Sequence, residues 1–246
     1  MKKKTIALIV VISVLCFSYS CQKKSSSLES TSSADKAEPS QAVPESEPAS
    51  PQNLNEDLVA AAWSDDSGEI QRLLKAGAEI NAKDGFGFTA LMRASERGNA
   101  ELVKALLQAG ADIKVKRENG WTALQDACSA NQLEALKVLL DAGADPNERG
   151  TDGTGILLWA VGYGYTEVVR ELVKAGTRID DPIDRFGQTP LMQAARTGKT
   201  EIIRTVLELG AKINAKDREG KTALDYAKEN GHAEIAEILN QAGGKD

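Results

Sequence analysis

The chain has 246 residues, 41% hydrophobic and 27% charged, with 4% aromatic and a formal net charge of −6, a composition that fits a soluble globular protein of one or two domains. So few aromatic residues point to an aliphatic, alanine-rich helical core. The acidic balance argues against general nucleic-acid binding, which needs a surplus of Lys and Arg on one face to neutralise phosphates.

The first element, residues 1–20, does not belong to a fold. It carries Lys2, Lys3 and Lys4, then an apolar run from Ile6 to Phe17, then Ser18 and Ser20 before Cys21. A basic start, an apolar run and small residues make the layout of a secretory signal peptide, and the run is short of the roughly 20 apolar residues of a membrane span. Removing it leaves 27 basic against 36 acidic residues, a net charge of −9. Two readings meet at Cys21. In one, cleavage after Ser18-Tyr19-Ser20 leaves a soluble periplasmic or secreted protein. In the other, the stretch resembles a bacterial lipoprotein signal, in which a small residue precedes a cysteine that becomes the lipid-modified N-terminus. Ser20 suits that signal, Ser18 stands where an aliphatic residue is usual, and bulky Leu15 makes Cys16 the poorer candidate. The resemblance implies an exported lipoprotein, membrane-anchored through Cys21 in the inner or outer membrane of a bacterial envelope.

The second element, residues 21–52, reads "CQKKSSSLESTSSADKAEPSQAVPESEPASPQ", with Leu28 and Val43 its only large apolar residues. Such a segment cannot bury enough surface to offset the entropy of ordering it, so a disordered tether is expected. A flexible chain of that length has an end-to-end distance of roughly 30 Å. A tether is useful when one end is anchored, which favours the lipid reading at Cys21.

The rest of the chain repeats itself. "GFTALMRASERGNAELVKALLQAGADI", "GWTALQDACSANQLEALKVLLDAGADP", "GQTPLMQAARTGKTEIIRTVLELGAKI" and "GKTALDYAKENGHAEIAEILNQAG" are variants of one unit, with Thr89 and Thr122 33 residues apart, Thr189 and Thr222 again 33, and 67 between the middle pair. Each recurring residue has a physical task. The threonine can cap a first helix, and Pro190 stands where proline is tolerated at a helix start. Gly98, Asn131, Gly198 and Gly231 fit a left-handed residue closing that helix. Glu101, Glu134, Glu167, Glu201 and Glu234 fall in the first turn of a second helix, where its dipole favours them. Gly77, Gly110, Gly143, Gly176, Gly210 and Gly243 close the second helices.

These units resemble ankyrin repeats, whose motif reads G-x-T-P-L-H-x-A, then G-x-x-E, then L-L-x-x-G-A-D-x-N. The resemblance covers about three quarters of the chain, and counting by the closing glycines gives a domain over 53–243 with units at about 53–84, 85–117, 118–150, 151–184, 185–217 and 218–243. It implies an all-α ankyrin-repeat solenoid of six helix-turn-helix units with short hairpin-like turns, its ends acting as caps, and six units exceed the three or so such a stack requires. In this frame "GTDGTGILLWAVGYGY", Gly150 to Tyr165, is the first helix of unit four. Gly155 stands in place of the capping threonine and Ile156 in place of Ala or Pro, and one extra residue enters the next turn near Pro182. Unit four is therefore expected to be the least regular joint.

The same glycine-rich run has none of the spacing of a phosphate loop and no nearby lysine, so no nucleotide is expected. His232 stands alone, and Cys128 has no partner for a disulfide inside the domain and aligns with Ser95 and Ala195, which reads as packing. No cofactor, metal or catalytic group is expected, and the protein is read as non-enzymatic.

What the resemblance implies is a protein-binding surface on the concave face, made of turn tips and first helices, with the domain monomeric and the partner an unidentified protein. By register those positions hold Phe86, Phe88, Arg93, Arg97, Trp121, Asp126, Trp159, Tyr163, Arg185, Phe186, Gln188, Arg196 and Tyr226. Aromatic residues and arginine are enriched in binding hot spots. Phe88 and Trp121 either bind or cover neighbouring turns, and Trp159 and Tyr163 either bind or pack. The expected function is a protein-interaction module tethered in the cell envelope; the alternatives are an inhibitor or stabiliser of an envelope enzyme and a host-facing surface protein.

Overall fold

The computed structural model describes residues 51–245, so the expected signal segment, Cys21 and nearly all of the expected tether lie outside the described residues. Within them twelve helices pair into six helix-turn-helix units: α1 Pro51–Trp63 with α2 Ser67–Lys75, α3 Ala90–Arg97 with α4 Ala100–Gln108, α5 Ala123–Ser129 with α6 Leu133–Asp141, α7 Leu157–Tyr163 with α8 Thr166–Lys174, α9 Pro190–Thr197 with α10 Thr200–Glu208, and α11 Ala223–Glu229 with α12 Ala233–Gln241. No strand occurs among the described residues beyond one isolated antiparallel bridge, Arg149 to Gly155. Helix α1 starts at Pro51, inside the last two residues of the expected tether.

The helix ends follow from local chemistry. Thr89, Thr189 and Thr222 accept the otherwise unpaired N–H of Met92, Met192 and Asp225 at 3.3, 3.4 and 3.3 Å, each an N-cap of the kind that stabilises a helix by about 1 kcal/mol. At the other end Gly98, Gly164 and Gly198 are left-handed, with φ of 83°, 80° and 76°. Asn131 takes the same conformation at φ 58°, and so does Asp65 in unit one at φ 59°. Asp65 occupies the register position of Gly98, a role that nothing in its local motif announces.

One apolar core runs through all six units. Leu91, Leu124, Leu157, Leu191 and Leu224 face inward from the first helices, and Leu73, Leu106, Leu139, Leu172, Val206 and Leu239 from the second. Ala94, Ala127, Ala160, Ala194 and Ala227 are fully buried where first helices of successive units meet, and their small size allows the close approach. Side chains also tie units together: Asn81 accepts the N–H of Asp112, Asp180 that of Lys212, and Asn214 that of Lys245, at 2.8, 2.7 and 2.8 Å.

Unit four departs from this pattern where the sequence does. Its first helix has no side-chain cap, and Ile156, at the position where the other units have their first helical residue, lies before the helix. The entry is closed instead by a tight turn, Leu158 N–H to Gly155 O at 3.1 Å, while the Gly155 N–H crosses to Ile183 O at 3.0 Å. The extra residue is absorbed in the following turn. Elsewhere the turn is bridged from Asp84 N–H to Phe88 O, Arg117 to Trp121, Gly150 to Thr154 and Asp217 to Lys221, whereas here the bridge starts one residue early, from Ile183 N–H to Gln188 O.

Candidate protein-binding face

The turn tips and first helices share one recurring device. The turn position held by Asp84, Arg117, Gly150, Asp184 and Asp217 lies nine residues before the helix position held by Arg93, Asp126, Trp159, Gln193 and Tyr226. At three turns the two side chains meet: Arg93 with Asp84 at 3.0 Å, Arg117 with Asp126, and the Tyr226 hydroxyl donating to Asp217 at 2.7 Å. The charges of the Arg117–Asp126 pair are swapped relative to the Asp84–Arg93 pair.

This pairing corrects the expectation for two residues. Register alone puts Asp126 and Tyr226 on the open face, yet they are 2% and 8% exposed, because each turns toward the turn tip nine residues before it. Burial pushes the Asp126 carboxyl up to about 7, opposed by Arg117. Its Oδ2 and the Arg117 Nε have no hydrogen-bond partner, so the pair is buried without being fully satisfied. The Tyr226 hydroxyl also accepts from Gln188 Nε2 at 2.9 Å, which places Gln188 as a support for the turn.

Arginines and aromatic rings interleave across units one to three. Phe88 lies between the guanidinium groups of Arg93 and Arg117, 3.5 and 4.1 Å from its ring centre. Arg117 also lies over Trp121 at 5.1 Å, and Arg93 and Arg97 over Trp63 at 5.3 and 5.2 Å. Phe88 and Trp121 are half-buried in this stack. From Trp121 the rings continue into unit four: Trp159 meets it edge-on at 5.3 Å, Tyr163 stacks on Trp159 at 6.2 Å, and Tyr165 on Tyr163 at 5.5 Å. Beside Trp121, a Cβ at Gly150 would lie 2.9 Å from Asp152 Oδ1 and 3.2 Å from Asn119 O, so the glycine serves the close approach of the two turns. Trp63 and Tyr165 belong to the belt although the repeat register did not single them out.

The remaining face residues stand at the surface. Phe86 is 78% exposed, Phe186 49% and Tyr163 43%. Arg185 is exposed over the ring of Phe186 at 5.0 Å, and exposed Arg196 holds Gln193 Oε1 at 2.9 Å. Trp159 is half-buried. The turn between units three and four and the longer turn that ends unit four border an open pocket of about 200 Å³ lined by Arg149, Gly155, Arg178, Asp181 and Ile183. Cys128 is fully buried, which raises its thiol to about 12 and suppresses thiolate chemistry.

A stack of helix pairs joined by short turns, with a row of tips and first helices left open along one side, defines a repeat-built interaction scaffold. The chain belongs to the ankyrin-repeat family: the model "Ankyrin repeats (3 copies)" matches residues 58–150 and again 151–246. Ankyrin repeats are protein-interaction modules. An ankyrin repeat domain from Acinetobacter baumannii AYE is similar at 32% identity, over 77% of this chain and 98% of that one, with a TM-score of 0.68. A chain from the complex of the predatory endopeptidase Bd0816 from Bdellovibrio bacteriovorus with the immunity protein Bd3460 is similar at 29% identity, over 75% of this chain and 96% of that one, with a TM-score of 0.67. Among curated proteins, mouse Rabankyrin-5 is 46% identical over 55 residues, 22% of this chain. The match spans only 5% of Rabankyrin-5.

Proposed function

We propose that this protein is a non-enzymatic interaction module, exported and tethered in a bacterial envelope through lipid at Cys21, which holds a partner protein against its turn tips and first helices. The observation that carries the binding reading is the belt of rings and guanidinium groups from Trp63 to Tyr165. Large, rigid aromatic side chains lose little conformational freedom on binding, and with arginine they dominate interface hot spots. In a chain with 4% aromatic residues, their concentration on one face is a use of scarce material. The signal-like segment and the polar stretch after it support the tether.

A second reading is favoured by one comparison. Likeness to a chain from an endopeptidase–immunity protein complex supports a module whose partner is an envelope enzyme that it inhibits or stabilises.

Site-specific photo-crosslinking in cells tests the face. A crosslinker at Trp159 or Tyr163 is expected to capture one discrete envelope protein, and one at Lys174 on the second helix of the same unit is expected to capture none. Equal capture from Lys174 would refute the assignment of the face, and a captured peptidase or other envelope enzyme would favour the second reading.

A further inference from the structure

Unit four carries three rings in contact, Trp159, Tyr163 and Tyr165, and the charges of the neighbouring unit beside them are cationic. The register position that holds Glu96, Ser129, Arg196 and Glu229 in other units is Gly162 here. A Cβ at Gly162 would lie 3.0 Å from Gln193 Nε2 of unit five, and Arg196 grips the other end of that amide through Nε and Nη2 at 3.1 and 2.9 Å. At Gly164, the residue after Tyr163, a Cβ would lie 2.8 Å from the Cδ of Lys199. Gly162 thus admits the Gln193 amide that Arg196 holds, and Gly164 admits Lys199 directly, so two cations of unit five border the backbone on either side of Tyr163 in sequence.

Those cations differ from the ones on unit two. Arg93, Arg97 and Arg117 are each ion-paired within the fold, to Asp84 and Glu96, to Asp65 and to Asp126. Arg196 and Lys199 are exposed and have no ion pair among the described residues. We infer that the shelf takes an acidic segment of the partner protein, an apolar side chain lying on the Trp159 and Tyr163 rings with carboxylates meeting Arg196 and Lys199 on the unit-five side; this rests on the interaction reading above. Because the chain as a whole carries −6, long-range steering works against an acidic partner, and the attraction is confined to contact range, within a Debye length of roughly 8–10 Å. The matching acidic feature is therefore a short extended stretch and not a whole acidic surface.

Fluorescence anisotropy of the full-length protein with three labelled peptides, Glu-Glu-Trp-Glu-Glu, Ser-Ser-Trp-Ser-Ser and Lys-Lys-Trp-Lys-Lys, tests this. The acidic peptide is expected to bind about tenfold more tightly than the serine peptide, as two surface ion pairs allow. Combining Arg196→Glu with Lys199→Glu, both exposed and checked for folding by circular dichroism, is expected to remove that preference and make the lysine peptide the tighter ligand. Tyr163→Ala is expected to weaken the acidic and serine peptides alike. Absence of binding, equal affinity for the three peptides, or a preference that survives charge reversal would overturn the inference; uncharged glycan as the true occupant belongs to these outcomes. If the peptides fail while crosslinks at Trp159 still capture a protein, only the acidic chemistry is lost. If the crosslinks fail as well, the face itself is refuted.

Discussion

At the scale of single residues, the hydroxyl of Tyr226 does at the last turn tip what the guanidinium of Arg93 does at the first. Asp217 spends Oδ1 on the N–H groups of Glu219 and Lys221, both at 2.9 Å, and Oδ2 on Tyr226. Burial pushes its carboxyl up, but the Tyr226 hydroxyl, the two N–H groups and the charge of Lys221 outweigh it and hold the group below its ordinary 3.8. The folded value is depressed, so this stabilisation is present above pH 3.8 and is lost as the pH falls through the folded value. Tyr226→Phe is expected to cost about 1.5–3 kcal/mol at neutral pH, the range for a hydrogen bond to a charged group. Urea unfolding should show the gap to wild type shrinking below about pH 4 as Asp217 protonates in both proteins.

At the scale of the element, α7 shows what a single missing hydroxyl does. The first helices of units two, five and six start on a threonine cap, while α7 starts later, on a tight turn, with Gly155 bonded across to Ile183. A Cβ at Gly155 would meet nothing nearer than Arg149 Nη1 at 3.5 Å, so the site has room for a side chain. Gly155→Thr is expected to stabilise the domain by about 0.5–1 kcal/mol, by adding a cap and reducing the freedom of the unfolded chain. Thermal unfolding would show this as a rise in Tm, and slower hydrogen exchange at the α7 amides would place the gain in that helix. An unchanged α7 exchange rate would mean that the bridge to Ile183 already does the work of the cap.

At the scale of the whole molecule, each unit packs on its sequence neighbours, and stability is close to a sum of units and the interfaces between them. Such a stack tolerates an irregular joint, because the insertion near Pro182 disturbs one interface and leaves the others in register. The same linear build lays turn tips side by side, so a belt of side chains from four units becomes one surface. For the proposed anchoring, Cys21→Ser is expected to move the protein from the membrane to the soluble fraction and to abolish labelling by a fatty-acid probe. A variant that still partitions with membranes would sink the lipid reading. Among the described residues no helix is long and apolar enough to cross a membrane.

What was legible in the sequence is what depends on near neighbours in the chain. Thr89, Thr189 and Thr222 cap their helices and Gly98, Asn131 and Gly198 close them because those tasks require a particular hydroxyl or a left-handed backbone at one position, whatever surrounds it. The irregular entry to unit four followed from Gly155 for the same reason. What only the tertiary structure decided is where the side chains of the face point. Asp126 and Tyr226 hold the register of surface positions but turn to partners nine residues back, since a buried carboxylate needs a cation and a buried hydroxyl needs an acceptor. The chain of rings from Trp121 to Tyr165 and the approach of Gln193 to Gly162 and of Lys199 to Gly164 join different units. Their geometry depends on how one unit stacks on the next, a relation that is absent from the motif of any single unit.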